Sequence, residues 1–218
     1  DVTELDVEFK EAEKGLAPFH WILDEEPMRK QIAIALQRHE EQKARAKTRY
    51  KPLLFIVTMS IAEGERAKKM LQERFKIKTL LVTQESDEEQ RQEAMTIGDF
   101  DSKYEAVVSV LMLREGWDVP QVSTILLLRK FSSPVYGQQV IGRGLRKIIR
   151  NQEEREILAV VDHPRLEHDW LWRLVAVSKV KQNVSDKDLF DDDEDLPDKP
   201  IIQTLVRPEK LIKIPEPE

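Results

Sequence analysis

Residues 136–147 read YGQQVIGRGLRK and bring an amide, guanidiniums, an ammonium and glycines together on a chain of net charge −6. On a helix, Gln139, Arg143 and Arg146 fall at i, i+4 and i+7 and share one face. Guanidinium makes bidentate, charge-assisted bonds to phosphate oxygens, so two of them beside an amide form a phosphate receptor. The competing reading is an ordinary solvated basic face. Glycine inside a helix costs about 1 kcal/mol against alanine, so this helix needs a reason to keep its glycines. Gly142, near the arginine face, lets a backbone or a bulky anion approach. A second stretch, LMLREGWDVPQV at residues 111–122, sets Gly116, Trp117 and Asp118 in a loop after a strand. A turn whose tryptophan packs into the core explains that stretch equally well.

The elements that must position these residues read as an alternation of strands and helices. Apolar runs at 53–57, 79–83, 105–111, 122–128 and 156–161 are of the buried-strand type. Between them, residues 61–75 form an amphipathic helix with Ser60 as N-cap. Ser86 and Glu89 suggest a capping box for a helix to about residue 97. Ser133 and Pro134 open the helix that carries the QQVIGRGLRK segment, from Gln138 to Lys147. Residues 27–47 read as a long helix with Pro27 in its first turn, an apolar face of Met28, Ile32, Ala35 and Leu36, and a basic end. A strand at 4–9 and a last helix at 164–179 complete the pattern. Five apolar strands with interposed helices predict an open, mainly parallel α/β sheet, whose ligands sit at the loops after the strand carboxyl ends.

Composition narrows the functional classes. Hydrophobic residues make up 40% and charged residues 35%, which fits a charged surface around an apolar core. No run approaches the roughly 18 apolar residues that span a bilayer, and no secretory leader is visible. Cysteine is absent, which removes thiolate catalysis and cysteine zinc sites and is compatible with a cytoplasmic location. Residues 186–199 hold eight acids against two lysines, which accounts for the whole net charge. Residues 129–150 hold six basic residues and no acid, a local patch able to attract polyanions. His163 and His168 are five apart, off the spacing of a helical metal pair, and Asp191, Asp193 and Asp195 lack the glycine of a calcium loop. No metal site is expected.

QVIGRGLR matches the Q-x-x-G-R-x-x-R pattern of motif six of superfamily-two helicases and translocases. LREGWDVPQV resembles their motif five, and PLLFIVTMSIAEGERAKKML at residues 52–71 resembles their motif four. The pairing of motifs five and six looks most like the Res subunit of type III restriction enzymes. The resemblance spans roughly residues 51–164 and implies a RecA-like helicase C-terminal domain at 51–184. That domain would follow an interdomain segment at 1–50 and precede an acidic linker and tail at 185–218. It further implies an ATP- and Mg2+-dependent DNA motor with a first RecA-like domain in the same polypeptide and a DNA-modification subunit as a possible partner. Arg146 would be the arginine finger and Arg143 a second phosphate or interdomain contact. Gln139, Gly142, Gly116 and Asp118 would lie at the nucleotide, and Thr58, Ser60, Ser109, Arg114 and Glu115 at the nucleic acid.

Two departures qualify the resemblance. No G-x-x-x-x-G-K-[ST] loop is present, so the chain alone is not expected to hydrolyse ATP, and it reads most simply as part of a longer protein. Val110 stands where many family members carry a threonine, with Ser109 beside it as a substitute. The alternatives are a non-catalytic RecA-like interaction module and the same motor acting on RNA.

Overall fold

The computed structural model describes residues 25–110, 117–131, 134–149, 156–163, 166–169 and 201–206. The elements run α1 (Glu25–Ala46), β1 (Leu53–Thr58), α2 (Ile61–Glu73), β2 (Thr79–Val82), α3 (Glu88–Met95), β3 (Ala106–Val110), β4 (Val122–Leu127), α4 (Pro134–Gly144), β5 (Ile157–Asp162) and β6 (Ile201–Val206). The strands form one sheet in the order β2-β3-β1-β4-β5-β6. β1 to β5 are mutually parallel, the RecA-like α/β arrangement. Every residue of β1 to β4 is buried, which is why these strands read as continuous apolar runs instead of alternating ones. Strand order reverses at β1, which lies between β3 and β4. β6 docks antiparallel to β5, with Ile201 opposite Asp162.

The helices close on this sheet for identifiable reasons. α1 packs across β4 and β5 and buries Met28, Ile32 and Ala35 completely, with Leu36 at the margin of the core. At the start of α2, the Ser60 hydroxyl accepts from the Glu63 N–H at 3.3 Å, and the Glu63 carboxylate accepts from the Ser60 N–H at 3.0 Å. A Cβ at Gly64 would stand 2.8 Å from Val110 and 2.9 Å from Leu81, so glycine is what lets α2 lie this close to β2 and β3.

The structure corrects two expectations about helices. The cap of α3 is Asp87 with Gln90, one residue later than the Ser86–Glu89 pair. The Ser86 hydroxyl is already spent accepting from the Thr83 N–H at 2.9 Å, which leaves the Asp87 carboxylate to take the Gln90 N–H at 2.8 Å. α4 ends at Gly144, so Arg146 lies beyond the helix and does not share a helical face with Gln139. A glycine-rich last turn stops the helix there, where a Cβ at Gly144 would meet Leu158 at 2.6 Å. The strand expected at 4–9, most of the helix at 164–179 and the acidic stretch at 186–199 lie outside the described residues. No described helix is long and apolar enough to cross a membrane.

Candidate functional site

α4 is the crossover between parallel β4 and β5, so it runs back along the sheet. Its last residue packs on Leu158 and Ile125. The chain just beyond it is fixed by the Glu156 carboxylate, which accepts from the N–H groups of Ile148 and Ile149 at 2.7 and 2.8 Å. Arg143 and Arg146 therefore stand beside the amino end of β5. That is the end opposite the loops where open parallel sheets ordinarily take ligands. The loop that leads into β4 arrives at the same place and carries Trp117 and Asp118.

The two arginines engage this loop differently. The Arg143 guanidinium lies 5.6 Å over the Trp117 ring, and its Nη1 donates to the Trp117 carbonyl at 2.5 Å. Burial first, and the neighbouring Arg146 charge second, hold the Arg143 guanidinium below its ordinary pKa. Arg146 reaches Asp118 in a salt bridge whose side chains are 40% and 66% exposed. Trp117 is itself anchored in the core. It is 4% exposed, donates through Nε1 to the Ala94 carbonyl at 2.8 Å, and lies 5.4 Å from the Phe55 ring. Its neighbour Asp118 is thus held at a rigid position facing out.

Gln139 is exposed on α4 one turn before Arg143. At Gly142, nothing lies within 4 Å of where a Cβ would be, so the backbone is open to an approaching group. Arg114, Glu115 and Gly116 lie outside the described residues. Thr58, Ser60 and Ser109 gather at the carboxyl ends of β1 and β3, where Val57 is paired with Ser109 and Thr58 with Val110. Thr58 and Ser109 are buried, and Ser60 is occupied in capping α2. These residues and the arginines are separated by the length of α4, whose 11 residues rise about 16 Å.

Sequence reasoning missed a buried polar cluster at the carboxyl end of β5. His168, buried, has its Nδ1 2.9 Å from the Asp162 carboxylate. Its Nε2 accepts from the Phe131 N–H at 3.3 Å. The Asp162 carboxylate also accepts from the His163 N–H at 2.8 Å. The Phe131 ring stacks on His168 at 4.8 Å and meets Tyr136 at 5.4 Å. Arg129 is 4% exposed, with its guanidinium 4.8 Å over the Tyr136 ring and 5.5 Å over the Phe131 ring. Arg129 therefore does not belong to the surface patch that the 129–150 count suggested. Its planar cation is buried against aromatic faces. Among the described residues, no group of three or more His, Asp or Glu side chains is placed to hold a metal ion.

The model of the helicase conserved C-terminal domain matches residues 33–147, from within α1 to just past α4. No curated protein sequence matches the chain. Among solved structures, the Sulfolobus solfataricus SWI2/SNF2 ATPase C-terminal domain is 10% identical, with TM-score 0.37, over 48% of this chain and 44% of that one. The Mss116p DEAD-box helicase domain 2, solved bound to an RNA duplex, is 16% identical, with TM-score 0.43, over 57% of this chain and 47% of that one. The Sulfolobus solfataricus SWI2/SNF2 ATPase core in complex with dsDNA is 13% identical, with TM-score 0.39, over 58% of this chain and 25% of that one. The chain thus spans less than half the length of each.

Proposed function

The chain belongs to the helicase conserved C-terminal domain family, and from that membership we propose that it is the second motor half of an ATP-dependent superfamily-two DNA helicase or translocase of the type III restriction kind. The observation that carries the reading is the convergence of Arg143 and Arg146 on the Trp117–Asp118 loop. That loop and α4 come from separate parts of the chain, and both reach the same end of the sheet.

The two arginines divide the work. Arg143, half-buried and bonded to a carbonyl, fixes the loop against α4. Arg146 holds Asp118 in an ion pair at the surface, with its side chain 40% exposed. An exposed ion pair is worth roughly 0–1 kcal/mol, so Arg146 exchanges Asp118 for a phosphate oxygen at little cost. A guanidinium aimed at a transferring phosphoryl group stabilises its developing charge, with effects on the order of 10³ or more in rate. Asp118 keeps Arg146 extended toward the partner domain until that exchange. Gln139 and the open backbone at Gly142 lie on the approach to the same surface, and Gly116 directly precedes Trp117 in the sequence.

ATP supplies the scissile phosphoryl group, and the donors present here fit its anionic oxygens. The Mg2+ ligands and the phosphate-binding loop come from a first RecA-like domain. Nucleic acid occupies the other end of α4, at the carboxyl ends of β1 and β3, where Thr58, Ser60 and Ser109 gather; Arg114 and Glu115 are proposed as nucleic-acid contacts from the motif alone. Hydrolysis by the intact protein should therefore depend on added nucleic acid. Measured with duplex DNA and duplex RNA in parallel, stimulation by DNA supports the DNA motor. Stimulation by RNA alone moves the assignment to an RNA motor, and no hydrolysis with either defeats the motor reading.

A further inference from the structure

The cluster at the carboxyl end of β5 has no part in the phosphate chemistry above, yet it touches the helix that carries it. We infer that His168, oriented by Asp162, is a positioning residue that sets the aim of α4, and through it of Arg146, by way of Phe131 and Tyr136. The inference rests on the reading of Arg146 as a phosphate ligand.

The contacts run from β5 to the first turn of α4, and the helix itself spans the rest. Because His168 Nε2 accepts the Phe131 N–H, the ring proton resides on Nδ1 and is donated to Asp162. Both nitrogens are occupied and the ring is buried, so His168 is not a general base; it is a fixed peg. It pins the Phe131 backbone, three residues before α4 begins. The Phe131 ring carries that restraint to Tyr136, in the first turn of α4, and the buried Arg129 guanidinium packs over both rings. Tyr136 and Arg143 are seven residues apart and share a helix face. A helix is stiff. Tilting its first turn by about 10° displaces the end of an 11-residue helix by roughly 3 Å, and misplacement of about 1 Å at a reacting centre can cost on the order of 10² in rate.

Two substitutions separate positioning from mere support. In His168→Asn the side-chain amide reaches the place of Nδ1, keeping the bond to Asp162 and losing Phe131. In His168→Gln it reaches the place of Nε2, keeping Phe131 and losing Asp162. In the intact protein, unfolding should rank His168→Asn as the more stable, because its buried carboxylate keeps a partner. Nucleic-acid-stimulated ATP hydrolysis should rank them oppositely. His168→Asn should lose about 10-fold or more in kcat at nearly unchanged KM, and His168→Gln should recover most of it. Hydrogen exchange in His168→Asn should quicken over residues 134–144 and stay slow over β1 to β3. Adding Arg146→Ala to His168→Asn should slow hydrolysis no further than Arg146→Ala alone. Activity that follows stability across the two variants, exchange that quickens equally over β1 to β3, or losses that multiply would each overturn the inference. If Arg146→Ala slows hydrolysis while His168→Asn is fully active, the positioning role alone fails. If Arg146→Ala is without effect, the underlying reading fails and takes the inference with it.

Discussion

Replacing His39 with leucine should flatten the acid side of the stability profile. His39 sits on α1 with no exposed surface, and neither ring nitrogen has a hydrogen-bond partner among the described residues. Burial, and secondarily the Lys43 charge, push its pKa from the ordinary 6.5 down to about 4, against the opposing pull of Glu40 and Glu105. As pH falls through 6.5, the unfolded chain takes up a proton at this position. The folded chain does not until about pH 4. The unfolded state therefore binds more protons throughout that window, and stability drops as pH drops. At about 1.36 kcal/mol per pH unit of difference, the full span is worth roughly 3 kcal/mol, of which about 2 kcal/mol is lost between pH 7.5 and pH 5. Urea unfolding of both proteins at those two pH values measures it. The leucine variant should lose about 2 kcal/mol less than the parent on acidification. Parallel losses in the two proteins would show that His39 is not held neutral by burial, and that α1 is not docked on β4 and β5 as described.

Four further substitutions test the packing around the site. A Cβ at Gly144 would stand 2.6 Å from a Leu158 methyl, so Gly144→Ala should lower stability by about 1–3 kcal/mol through overpacking. Gly142→Ala, with open space around it, should raise stability by up to about 1 kcal/mol; thermal unfolding of the pair separates the two roles. Trp117→Phe removes the Nε1 bond to the Ala94 carbonyl and should cost about 1–3 kcal/mol by leaving that buried acceptor unmade, read as a shifted urea midpoint. Ser60→Ala removes the hydroxyl half of the α2 capping box and should cost about 0.5–2 kcal/mol in the same assay.

The sheet was legible in the sequence because five strands buried on both faces leave uninterrupted apolar runs, as at 53–57 and 122–128. The sixth strand lies in the stretch read only as linker and tail, since nothing local decides whether 201–206 docks or stays extended. The α3 cap was misread by one residue because Ser86 and Asp87 are both good caps. A single turn contact, Ser86 with the Thr83 N–H, decides between them. The proximity of Arg143, Arg146, Trp117 and Asp118 came from motif order, yet periodicity misjudged how Arg146 gets there. A helix wheel carries it past Gly144, where the glycine-limited end against Leu158 stops the helix. Asp162 and His168 escaped because their pairing follows no helical or strand period and is set by the turn beyond β5. Arg129 was counted as surface charge for a related reason. Only the fold brings Tyr136 and Phe131 over it.

The central claim is that α4 delivers an arginine to a phosphoryl group held mainly by another domain. The most direct measurement is the kcat of nucleic-acid-stimulated ATP hydrolysis by the intact protein carrying Arg146→Ala, with ATP binding followed separately. The account predicts a fall in kcat on the order of 10³ with ATP binding largely kept. Unchanged kcat in a folded, nucleic-acid-binding variant would contradict it.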